Sequence, residues 1–331
     1  MILIVHEDNT GKPIDIDCGD KIPFSVTFRE GGSQIVGGGI YPNDFKGWLY
    51  QWLVKDGHGV PETELHLDAR VFSVVVSKNG EWILNVDGKA VEVRKAKTSS
   101  EVLKVEDHSG QVLAIDVSND SAKFASGSED RTVNIWDITT GKRLLGPLQH
   151  DYPVNGVKFS PSGKYIATAA SAGDPASLRV WDAQSGGKPL IDISVHWRNG
   201  PYPSTPLAWS SDGDTLFFIA FGKITSLTIS TSERSEWSVP TSLDARACSL
   251  ATNGKFIACS AGGSISFWDP VSHAQLGSTI ERGEIILSLA LSPDNSDLVC
   301  STIKPPNHSI ELYTLGDILP LHVLNVDVNT H

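Results

Sequence analysis

The sequence predicts an all-β fold in which seven small sheets close into a ring. Three observations predict it: a repeat of about 41 residues along the chain, four strand-like runs in each repeat, and no convincing amphipathic helix. Each repeat opens with a short β-branched run that ends in a polar turn. Good copies are Val74–Gly80, Ile115–Asp120, Val157–Gly163, Leu207–Gly213, Ser249–Gly254 and Leu289–Asp294, with a weaker first copy at Val26–Gly32. Anchored on the residue that opens the turn, the copies fall at 29, 77, 118, 160, 210, 251 and 292, with spacings of 48, 41, 42, 50, 41 and 41. The two long spacings contain insertions, at Ile40–Gly47 and around Gly173–Ser177 with Trp197–Tyr202.

The third repeat shows the internal plan. Its runs Val112–Val117, Lys123–Gly127, Thr132–Ile138 and Arg143–Leu148 are separated by Ser-Asn-Asp, Glu-Asp-Arg and Thr-Thr-Gly-Lys segments, all turn formers. The strands are rich in Val, Ile, Ala and Phe and alternate loosely, as sheets covered on both faces do. One four-stranded sheet cannot bury both faces alone, so neighbouring repeats must stack on one another. Radial stacking gives a single β-propeller over residues 1–331. Its blades are read at roughly 19–68, 69–110, 111–153, 154–204, 205–245, 246–285 and 286–331.

Residues 1–18 are left over. They read as a hairpin, with Thr10–Pro13 matching Thr140–Arg143, while Ser309–Val326 reads as the last two strands of the seventh repeat. The hairpin therefore has three readings: part of an incomplete eighth blade, a strand that closes the ring in place of the tail, or a relic of a longer array. Seven blades with an N-terminal hairpin is preferred, because an unpaired Ile2–Val5 edge is an aggregation hazard.

The third repeat resembles the WD-repeat family through Asp107-His108-Ser109-Gly110, Ser126-Gly127-Ser128-Glu129-Asp130 and Asn134-Ile135-Trp136-Asp137. The resemblance implies a hydrogen-bonded tetrad of His108, Ser126, Asp130 and Trp136 that stabilises the blade. It implies no catalysis, although His, Ser and Asp stand together; no GxSxG elbow accompanies them. Partial tetrads follow: His150, Thr168, Trp181 and a displaced Asp174 in the fourth repeat, and Trp268 in the sixth, where Gly262 replaces the turn carboxylate. The second repeat shows Val93-Arg94 in place of Trp-Asp, the first Trp52-Leu53 and the fifth Leu227-Thr228; the seventh lacks the signature.

Composition bounds the rest. Hydrophobic residues make up 40% of the chain, charged residues 20%, and the formal net charge is -12. So acidic a surface disfavours nucleic acid, and Ile2–Val5 is too short for a signal core or a membrane span. A soluble cytoplasmic protein is expected, as a monomer or part of a larger complex. The basic cluster Arg94–Lys97 reads as a solvated hairpin edge. Cys18, Cys248, Cys259 and Cys300 lack metal spacing and read as buried free thiols; no metal or cofactor is implied.

By the same resemblance, partners dock on the rim that carries the tetrad His and Asp loops, called the top. Repeat register assigns to it Arg70 and Phe72, Gln111 and Leu113, Pro153 and Asn155, Pro203 and Thr205, Asp244 and Arg246, together with Glu129. The insertions add Tyr41, Phe45, Trp197, Arg198 and Tyr202. The expected function is a non-catalytic scaffold binding a peptide or protein domain on this rim. The alternative is a propeller hydrolase or a small-ligand or glycan binder using the central channel. Several acidic or His side chains lining that channel would favour the alternative.

Overall fold

A computed structural model describes residues 13–55, 58–172, 175–196, 206–241 and 247–324. Every strand lies in one of seven four-stranded antiparallel sheets. In six of them the strands follow chain order, from the innermost to the outermost. Blade three, for example, is Val112–Val117, Lys123–Ser128, Thr132–Asp137 and Arg143–Gln149, each within one residue of the sequence reading. The innermost strand of every blade touches those of both neighbours, and blade seven returns to blade one, so the ring is closed.

The turn after each innermost strand explains the regular spacing. Three residues beyond each anchor the backbone is left-handed, at Gly32, Gly80, Ser121, Gly163, Gly213, Gly254 and Asn295. Glycine adopts that conformation without penalty, and asparagine tolerates it. The anchor hydroxyls of Ser77, Ser118, Ser160, Ser210 and Ser292 each accept the amide five residues on, at 2.9–3.0 Å. A repeated serine therefore stands where a repeated turn needs an acceptor.

The seams between blades hold the core. Trp136 and Phe124 of blade three pack with Ile83, Leu84 and Val93 of blade two, and Trp268 of blade six packs with Phe217 and Ile219 of blade five. Stacked sheets thus bury the faces that a lone sheet would expose. The four cysteines are buried free thiols.

Blade seven corrects the sequence reading of the tail. Only three of its strands come from the C-terminal region, Ile285–Leu291, Asp297–Ile303 and His308–Thr314. The outermost strand is Ile14–Gly19, which pairs antiparallel with His308–Thr314 in the register Ile14 to Leu312 and Ile16 to Ile310. Residues Leu315–Asp317 instead form a 3-10 turn, and Leu321–Leu324 one turn of α-helix. The reason is local. Leu315 and Leu319 are both buried at helical spacing, the Leu319 amide donates to the Leu315 carbonyl, and Pro320 has no N–H for a ladder. The first half of the expected hairpin, including Ile2–Val5, lies outside the described residues.

Candidate functional site

Two sets of polar and aromatic residues stand out, one inside the blades and one on a rim. Inside blade three, the Nδ1 of His108 lies 2.8 Å from Asp130 Oδ2, and its Nε2 lies 2.7 Å from Ser126 Oγ. The Trp136 indole N–H donates to the same hydroxyl at 2.8 Å. One proton arrangement satisfies the chain: Nδ1–H donates to the carboxylate, and Ser126 donates to Nε2 while accepting from Trp136. Asp130 also accepts the Ser109 amide at 3.0 Å and the Thr132 hydroxyl at 2.6 Å. Burial alone would raise the Asp130 carboxyl. The Thr132 hydroxyl, the His108 ring and the Ser109 amide outweigh it and hold the group below the usual carboxylate range.

Strand register identifies the matching positions elsewhere. In blade four Trp181 donates to Thr168 at 2.9 Å, and His150 stands edge-on to Trp181 at 5.3 Å. Neither His150 nitrogen has a hydrogen-bond partner among the described residues, and Asp174 lies outside them. In blade six Cys259 takes the place of Ser126, and Trp268 turns to Ser266 on its own strand at 2.8 Å. Blade two corrects the sequence alignment by one residue. Arg94, not Val93, pairs where Trp136 pairs in blade three, since Ile83 faces Arg94 as Phe124 faces Trp136. Its guanidinium donates to Asn85 at 3.1 Å and meets Glu92, while Lys104 bridges Glu92 and Asp87. Blade seven places Tyr313 in the Trp slot, donating to the buried Glu311 at 2.6 Å, and Arg282 closes on Glu311. The networks of blades two, three and four join strands within their blade, whereas Trp268 bonds within its own strand and Arg282 reaches Glu311 from the link that enters blade seven.

His150 gives a pH prediction. Burial first, and the Arg179 charge second, push the His150 imidazole from 6.5 down to about 4. The unfolded chain therefore takes up this proton before the folded one does. The contribution of neutral His150 is full above pH 6.5 and is lost as pH falls from there towards 4, roughly 3 kcal/mol in all. His150→Gln is expected to flatten the urea midpoint over that window. Parallel midpoint profiles for the two proteins would contradict it.

The rim is built by topology. With the innermost strands all running one way, the loops that enter each blade and those between second and third strands share the top, and the other hairpins share the bottom. At the top, the blade-one insertion and the link to blade two carry four sequence-selected residues, of which Phe45 and Arg70 meet. Phe45 is 58% exposed, its backbone is left-handed at φ 59°, and its ring lies 4.9 Å from the Arg70 guanidinium. Phe72 stacks on Phe24 with ring centroids 5.4 Å apart. Tyr41 stacks on His66 at 5.3 Å and donates to Glu64 at 3.1 Å.

The remaining rim candidates are dispersed. Gln111 and Glu129 are exposed neighbours on blade three, joined through the Glu129 amide and the Gln111 carbonyl, and Leu113 and Pro153 are half-buried. Asn155 is buried, its side-chain oxygen accepting the Ser171 amide at 3.1 Å, so it braces blade four and faces no solvent. Trp197, Arg198, Tyr202, Pro203, Thr205, Asp244 and Arg246 lie outside the described residues. Sequence reasoning missed Phe24, His66 and Glu64. Blade one has no tetrad histidine from which rim positions could be counted, although Phe24 does lie near the start of an innermost strand, Ile22–Arg29.

The central channel is narrow at the top, where Phe24, Phe72, Ala247, Leu287 and Ile303 cluster. Below it widens to about 580 Å³. Its charged lining residues are Lys78, Asp116 and Lys158; Asp116 is held by Lys158 at 2.7 Å and by the Phe159 amide at 2.8 Å.

Comparison with known proteins adds the following. Residues 99–137 and 142–182, centred on blades three and four, match the WD domain, G-beta repeat family. Over 119 residues the chain is 34% identical to small ribosomal subunit protein RACK1y of Oryza sativa subsp. japonica, covering 34% of this chain and 33% of that protein. Over 115 residues it is 33% identical to small ribosomal subunit protein RACK1 of Caenorhabditis elegans, covering 33% of this chain and 34% of that one. The chain thus matches about a third of the length of these relatives.

Proposed function

Since this chain belongs to the WD40-repeat β-propeller family, we propose that it is a non-catalytic scaffold that holds a peptide or domain of another protein against its top rim. The observation that carries the reading is the exposed Phe45 ring against the Arg70 guanidinium. An exposed phenylalanine in a left-handed conformation costs stability twice, by roughly 1–2 kcal/mol of backbone strain and by apolar surface left in water. A guanidinium beside it adds the residue types that dominate binding hot spots. Such a patch is worth its cost when a partner covers it.

The channel supports the same reading. Among the described residues its one lining carboxylate is committed to Lys158 and a backbone amide. Among the described residues no helix is long and apolar enough to cross a membrane. The relatives' names place them in the small ribosomal subunit; the parallel we draw is assembly through a surface, in a cytoplasmic setting.

The test is affinity capture from the source cell with wild-type protein and with Phe45→Ser/Arg70→Glu. Proteins captured by the wild type are expected to fall about tenfold with the variant, at an unchanged melting temperature. Equal recovery by the two would place the docking surface elsewhere.

A further inference from the structure

The bottom rim carries a second, differently charged feature. A cleft of about 900 Å³ opens where blades seven, one and two meet. Arg29, Lys78, Lys95 and Lys97 line it, against one carboxylate, Glu81, among the described lining side chains. The chain as a whole has a formal net charge of -12, so this is an island of opposite sign.

Repeat register shows how the island arises. The residue after the Trp slot closes the third strand and caps the bottom turn. In blades three, four and six it is Asp137, Asp182 and Asp269, each accepting turn amides. In blade two the same position is Lys95. The turn after the innermost strand carries Asp120, Asp212 and Asp294 in blades three, five and seven, whereas blades one and two have Gly31 and Asn79 there. Blades four and six are also uncharged at this turn position, with Ser162 and Asn253, so the basic replacement particular to the cleft is Lys95.

The basic groups are also positioned. The Lys95 ammonium sits 3.8 Å from the centre of the Trp82 ring, and the buried Arg29 donates to Gln51 at 3.1 Å. Gln51 in turn donates to Ser99 at 2.5 Å, tying the floor of the cleft to the turn that carries Lys97. Val76, Phe28, Leu291 and Pro293 give the walls an apolar share.

We infer that this cleft binds a short acidic peptide segment of a protein partner, with carboxylates on the exposed Lys95 and Lys97 and an apolar side chain against Leu291 and Pro293. A nucleic acid strand fits worse. Its phosphates continue past the cleft and meet the ring of turn aspartates on the same rim, whereas a short acidic segment ends within it. The site lies on the face opposite Phe45 and Arg70, so a chain using both surfaces would join two partners.

The experiment is fluorescence anisotropy at low salt with a short labelled peptide of aspartates, glutamates and leucines. The controls are its asparagine and glutamine counterpart and a single-stranded RNA oligonucleotide. Saturable binding of the acidic peptide is expected. It should weaken about tenfold in Lys97→Glu and further in Lys95→Glu/Lys97→Glu, while Lys142→Glu/Lys188→Glu leaves it unchanged. Lys97 is exposed, so its single variant tests the site even if loss of the Lys95–Trp82 contact disturbs the double one. Absence of saturable binding, equal binding of the neutral peptide, tighter binding of the RNA, or indifference to Lys97→Glu would each overturn the proposal.

Discussion

Removal of residues 1–19 is expected to cost the protein at least about 4 kcal/mol and to leave much of it aggregated at ordinary temperature. The deleted strand Ile14–Gly19 is the outer quarter of blade seven. Ile16 is 1% exposed and packs with Trp52, Ile310 and Leu312, and Cys18 is buried in the same cluster. Its loss opens a cavity on the seam between blades seven and one and strips the ladder partners from His308–Thr314. The seam is tight: a Cβ on Gly59 of blade one would come within 2.7 Å of Ile16 Cδ1. The point variant Ile16→Ala isolates the packing share, about 3 kcal/mol. Urea titration gives both values, and a synthetic peptide of residues 13–20 should partly restore the truncated protein. A truncated chain that unfolds at the full-length midpoint would show the ring closing without this strand.

Asp130→Ala should lower stability by roughly 1–3 kcal/mol, the range for leaving a sheltered polar group without its charge-assisted hydrogen-bond partner. The carboxylate accepts from His108, the Ser109 amide and both Thr132 donors, and the alanine leaves the imidazole Nδ1 only the longer contact to the Thr132 hydroxyl at 3.2 Å. Asp137→Ala is the comparison. That carboxylate also accepts several turn donors but stands in water at the bottom rim, so its loss should cost well under half as much. Urea midpoints measure both. Equal costs would mean that the His108–Ser126–Trp136 relay draws little from its acidic end. Top-rim capture by folded Asp130→Ala should match the wild type.

What was legible in the sequence followed from backbone demands. Seven turns needed a left-handed residue three places past a strand end, and that need left Gly or Asn at a fixed spacing in six of them. Blade number and strand order came with it. The tail was misread because Ser309–Val326 is apolar enough for two strands. Only the i, i+4 spacing of Leu315 and Leu319 before Pro320 marks a helical turn, and so short a signal does not override a strong repeat. Arg94 was placed one residue out for a related reason. An arginine in a tryptophan slot makes sense only with Asn85, nine residues away on the neighbouring strand, and Glu92, two residues away on its own. The rim patch was half legible: Tyr41, Phe45, Arg70 and Phe72 could be chosen by type and register, but the meeting of Phe45 with Arg70 depends on how the insertion folds over the link to blade two. Arg94–Lys97 read as a solvated edge because nothing linear shows that Arg29 lies beneath it.

The pairing of Ile14 with Leu312 also sets a timetable. At roughly 5–20 residues per second, tens of seconds separate synthesis of the first strand from synthesis of its mate. Throughout that interval blades one to six can form in order, while the leading segment must stay unattached and avoid every other sheet edge. Completion is then a late event that joins a strand made early to one made nearly three hundred residues later. The bottom cleft draws walls from blades one, two and seven, so it too waits for the innermost strand of blade seven, and any partner that reads it reads a ring already closing.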